Sequence, residues 1–133
     1  MVERKETEIF EDFEGVVQSV QQITNENPEI GGEQIYIVMK PTNREIKGVS
    51  GCLHEWINIP ATATETQVPE ASNIDKYLQE LEILNKDLKK VATIPEVFAW
   101  MVNKKFKFVK KTLGKSFSGY KARSYWVPIT LFE

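Results

Sequence analysis

Leu53-His54-Glu55-Trp56-Ile57-Asn58-Ile59-Pro60 alternates residue by residue. Side chains of an extended strand repeat with a period of two. Leu53, Glu55, Ile57 and Ile59 therefore share one face, and His54, Trp56 and Asn58 share the other. Pro60 has no ladder donor and ends the strand. What lies on either side of this strand decides the architecture. Downstream, residues 60–72 form a long Ala/Thr/Pro/Glu loop, and Ser72 or Asn73 can cap a helix. Ile74, Tyr77, Leu78, Leu81, Leu84 and Leu88 then recur at helical spacing, which predicts a helix over 73–89. Thr93 and Glu96 offer a capping box around Pro95, predicting a short second helix over 94–102.

Upstream, Ile35, Ile37 and Met39 alternate with Tyr36, Val38 and Lys40, which reads as a strand over 34–40. Residues 13–23 are β-branched and partly alternating and read as another strand, with Gly15 marking a bend or bulge. Asn25-Glu26-Asn27-Pro28 and Gly31-Gly32 supply the turn between them. Beyond the helices, Lys105-Phe106-Lys107-Phe108-Val109-Lys110 alternates sharply, with Phe106 and Phe108 assigned to the core. Leu113–Gly119 is a glycine-containing loop. Ala122–Leu131 is a last strand, interrupted near Pro128 as an edge or bulge would be. Residues 1–12 are acidic and read as an arm, with Ile9 and Phe10 as its anchors, ahead of a single domain over 13–133.

The 133 residues suffice for one hydrophobic core, and 41% hydrophobic with 27% charged residues is ordinary for a globular chain. Cys52 is the single cysteine, so no intramolecular disulfide forms. The charged N-terminus and the lack of a long apolar run lead to the expectation of a cytoplasmic protein with no membrane partner. The formal net charge of −2 conceals a strong polarity. Residues 1–96 hold nine basic and eighteen acidic side chains, and residues 97–133 hold eight basic and one acidic, Glu133. The basic third also carries Phe98, Trp100, Phe106, Phe108, Phe117, Tyr120, Tyr125, Trp126 and Phe132. Cations attract phosphate and flat rings stack on bases, so the pattern points to nucleic acid.

Three strands, a helix and two strands resemble, in element order, the OB-fold nucleic-acid-binding proteins of the single-stranded DNA-binding type. The resemblance spans residues 13–131 and rests on element order and turn positions. It implies a mainly β, α+β fold, a five-stranded OB-like barrel of order β-β-β-α-(α)-β-β. It also implies a binding face on the second and third strands, flanked by the loops after the first and fourth. By position, that face holds Tyr36, Lys40 and Trp56. The loop between the last two strands and its borders hold Lys110, Lys111, Lys115, Phe117, Tyr120, Lys121, Arg123 and Tyr125. Of Tyr125 and Trp126, which alternate, at most one faces a ligand. Arg44 and Lys47, in the loop after the second strand, are further candidates for phosphate contact, in a patch that Glu45 weakens.

The expected partner is thus single-stranded DNA or RNA, bound with little sequence specificity. Single strands suit this pattern better than duplex because no helix carries the positive charge: the first helix sets Lys76, Lys86 and Lys89 against Asp75, Glu80, Glu82 and Asp87. The competing reading is a non-enzymatic interaction module whose basic third docks an acidic protein, or a neighbouring copy in a homo-oligomer. No enzyme signature is present. Cys52 and His54 would need further ligands to hold a metal, and Gly114-Lys115-Ser116 lacks the rest of a phosphate-binding loop. No cofactor or metal is expected.

Overall fold

The computed structural model describes residues 10–24, 32–45, 51–113 and 123–132. Five antiparallel strands form one sheet: β1 (Asp12–Thr24), β2 (Glu33–Pro41), β3 (Leu53–Ile59), β4 (Lys105–Thr112) and β5 (Ser124–Phe132), in the order β3-β2-β1-β4-β5. Two helices, α1 (Asn73–Leu84) and α2 (Ile94–Ala99), lie between β3 and β4. The fold is therefore α+β with the element order expected. Among the described residues no backbone ladder joins β3 to β5, so the sheet is not closed, where a barrel was expected.

The alternation in the sequence places the core. Ile35, Ile37 and Met39 of β2, Ile57 of β3, Phe13 and Val17 of β1, and Phe106 and Phe108 of β4 are all buried on one side. The Phe13 and Phe108 rings, directly opposed in register, stack at 4.9 Å. Ile74, Tyr77, Leu78 and Leu81 of α1 complete this core against β3 and β5. Phe10 belongs to it as well, stacking on Trp126 at 5.5 Å beneath the Arg44 guanidinium.

Several boundaries differ from the sequence reading, each for a local reason. The helix expected over 73–89 stops at Leu84. Asn85 adopts an extended backbone, and its side chain accepts from the Asp87 N–H at 3.1 Å, starting a separate 3₁₀ turn over Lys86–Lys90 that carries Leu88 into the core. The helix expected over 94–102 ends at Ala99, and the chain reverses through Asn103 at φ 66°. Ser72 and Thr93 do cap the two helices, accepting from the Asp75 and Glu96 N–H groups. The bulge in β1 falls between Val17 and Ser19 rather than at Gly15. Gly15 instead lets two strands approach closely. A Cβ there would lie 2.8 Å from the Lys40 carbonyl oxygen and 2.9 Å from the Phe13 ring. At Pro128 the ladder to β4 skips a residue, an irregularity on an end strand as Pro128 requires.

Among the described residues no helix is long and apolar enough to cross a membrane.

Candidate nucleic-acid interface

The face of β2 and β3 that points away from the core carries a row of rings, half-buried at Tyr36 and His54 and exposed at Trp56. Tyr36 stands directly opposite Trp56 in register, and His54 follows one rung along. Ring centroids lie 5.1 Å apart for Tyr36 and Trp56, 5.9 Å for His54 and Trp56, and 5.7 Å for Tyr36 and His54, the last pair inclined by only 16°. The Tyr36 hydroxyl and His54 Nδ1 are 2.5 Å apart, close enough to lock the two rings together. Trp56 retains 38% of its surface, one of three large apolar side chains left exposed among the described residues. A tryptophan held open on a sheet invites a flat partner. Beyond the row, Gln34 donates to Asn58 across the strands at 2.6 Å, and Lys40 stands exposed at the other end of β2.

Beside this face lies the unladdered seam between β3 and β5, organised by one carboxylate. Glu55 is buried to 4% exposure on the core side of β3. It accepts from the Trp126 backbone N–H at 2.6 Å and from the Trp56 N–H at 3.2 Å. Arg123 Nη2 approaches it at 3.7 Å, with its guanidinium over the Tyr125 ring at 4.9 Å. Burial pushes the Glu55 carboxyl above its ordinary range; the Trp126 N–H, Lys110, Arg123 and the Trp56 N–H pull the other way without cancelling it. On the opposite side of the same residue, the Tyr77 hydroxyl donates to the Trp126 carbonyl at 2.7 Å. Side chains from β3 and α1 thus satisfy both backbone groups of Trp126.

The seam brings Lys110 and Arg123 together around Glu55, which precedes Trp56 on β3 and faces the other side of the strand. Lys110 also sits over the Trp126 ring at 4.6 Å. Lys111 instead pairs with Glu80 of α1 and is drawn toward the helix. Tyr125, expected at the ligand face, is 1% exposed: α1 covers it, and its hydroxyl accepts from the Asn73 amide at 3.0 Å. Its ring is unavailable for stacking, and Trp126 on the alternate face is buried as well. Lys115, Phe117, Tyr120 and Lys121, like Lys47 and residues 1–9 of the acidic arm, lie outside the described residues.

The sequence reading missed His54 as a member of the ring row. The signal was present: His54 and Trp56 share a strand face, and Tyr36 shares a face with Val38 opposite. Cys52 is buried with its thiol toward Gln18 Oε1, and Glu55 turns inward. Among the described residues no three His, Cys, Asp or Glu side chains gather as a metal site. At the far end of β2, Lys40, Thr42, Asn43 and Arg44 line an open recess with Gly51. Asn43 is held there by the Glu14 N–H, and Arg44 by Asp12 at 3.5 Å.

Comparison with protein-family models, with curated proteins and with solved structures gives no match.

Proposed function

We propose that this protein binds single-stranded nucleic acid, without catalysis, along the outer face of β2 and β3. The observation that carries the reading is the Tyr36–His54–Trp56 ring row, open to solvent at Trp56, on the strand whose inward-facing Glu55 gathers Arg123 and Lys110. Rings offer sequence-tolerant stacking, and the cations at the flank supply phosphate contacts. The strand order also supports an OB-like reading. β1 lies between β2 and β4, and β3 and β5 are left as the two ends that a barrel of this order joins. On this reading the Glu55 side chain spans that join in place of a ladder bond.

The test is a titration of tryptophan fluorescence with a thymidine homopolymer of about 12 nucleotides, within the site sizes of single OB folds. Quenching that weakens steeply with added salt is expected. Trp56→Ala should remove most of the quenching and weaken binding by about 1–3 kcal/mol, the loss of one stacked base. Undiminished binding by Trp56→Ala and Tyr36→Ala would exclude this face. Absence of oligonucleotide binding at low salt, with retention on an acidic protein, would support the interaction-module reading instead.

A further inference from the structure

We infer that Arg123 serves two anions in turn, Glu55 in the free protein and a backbone phosphate in the complex, so that strand binding is coupled to proton uptake by Glu55. The inference rests on the proposed nucleic-acid reading and concerns the same face. Three observations lead to it. The ion pair is loose, at 3.7 Å, and lopsided: the Arg123 side chain is 43% exposed and the Glu55 side chain 5%. Arg123 can therefore swing to a phosphate while Glu55 cannot follow. Glu55 is held in place by two backbone N–H groups, those of Trp126 and Trp56, so it stays buried when Arg123 leaves. Trp56, whose N–H is one of those donors, presents the exposed ring of the binding face, so ligand and carboxylate share one strand.

A buried carboxylate deprived of its cation is stabilised by taking a proton from solvent. Among the described residues, the charged and titratable groups facing Glu55 are few. Arg123, just ahead of β5, and Lys110 of β4 are its cations. Tyr77 of α1 and Tyr125 of β5 are phenols that burial keeps neutral through the physiological range. Glu80 of α1 acts on Tyr77 and is itself paired with Lys111. Proton uptake is largest at pH values between the carboxyl's midpoints in the free and bound protein, and it makes binding weaken as pH rises through that interval.

The experiment is calorimetric titration of the full chain with the thymidine homopolymer, in two buffers of unlike ionisation enthalpy at matched pH and salt. The wild type is expected to show different apparent enthalpies in the two buffers, with the sign of net proton uptake. Glu55→Gln is expected to lose that difference and to bind about two- to fivefold more tightly, the range for releasing a partly exposed ion pair. Arg123→Gln, an exposed change that leaves the buried seam donors in place, guards against a folding defect at Glu55. It is expected to bind more weakly and to show no uptake. Buffer-independent enthalpy in the wild type, or uptake retained by Arg123→Gln, overturns the coupling while leaving the binding face intact. Failure of the wild type to bind overturns both.

Discussion

Glu55 is the residue on which the seam turns, because it is the one buried carboxylate among the described residues and because two strands meet through it. Its folded form holds a proton more tightly than the ordinary value of 4.5, with burial as the main cause. A raised carboxyl stabilises the fold below the unfolded value, and that contribution is lost as pH rises through the folded value. The stability advantage of the wild type over Glu55→Gln should accordingly shrink from pH 4.5 upward and level off above the raised midpoint, read by urea unfolding at a series of pH values. Parallel curves for the two proteins would show that Glu55 ionises as freely in the fold as in the open chain. None of this was legible in the sequence. Alternation assigned Glu55 to the inward face correctly, but its partners stand 68 and 71 positions away, at Arg123 and Trp126. Trp56 was legible by the same alternation, since an outward position on a strand needs no distant partner. Tyr125 was not, because the cover that α1 places over it is a long-range fact.

At the scale of elements, the strands were readable because their signal is local and repeated. β3 runs over the residues its alternation marks, and the other strands differ by at most two residues at either end. The helices were overextended, since apolar spacing continues through Leu88 while Asn85 stops the helix by capping the 3₁₀ turn after it. The apolar pattern records which residues are buried, not which backbone hydrogen bonds carry them there. Gly15 shows the converse case. Its place in a strand suggested a bulge, yet it lies in regular register with Pro41 of β2 and Phe106 of β4. Strand propensity favours alanine over glycine, but the missing Cβ leaves room for the Lys40 carbonyl at 2.8 Å, a backbone atom that cannot simply rotate away. Steric conflict should win: Gly15→Ala is expected to destabilise by about 1–3 kcal/mol in urea or thermal unfolding, the usual range for overpacking. A neutral or stabilised variant would mean that β1 and β2 part there at little cost.

At the scale of the whole molecule, the basic residues of the C-terminal third that are described do not gather on one simple positive side. Lys105 and Lys107 lie on β4, Lys107 faces Glu14 across to β1, and Lys111 is tied to α1. Lys104, Lys105, Lys110 and Arg123 each lie over an aromatic ring, so the rings of the basic third pack with its cations as well as with the core. Among the described residues, what the proposed reading leaves for a ligand is narrower than the composition suggested: the ring row on β2 and β3, Lys40 at its end, and the two cations of the seam. The most direct measurement is amide chemical-shift mapping of the isotopically labelled full chain as the thymidine homopolymer is added. The shifts are expected to concentrate at residues 34–40 and 54–58, with a second group at Lys110 and Arg123. Shifts confined to the Lys105 and Lys107 side of β4 or to α1, with Tyr36, His54 and Trp56 unmoved, would contradict the assignment of the binding face.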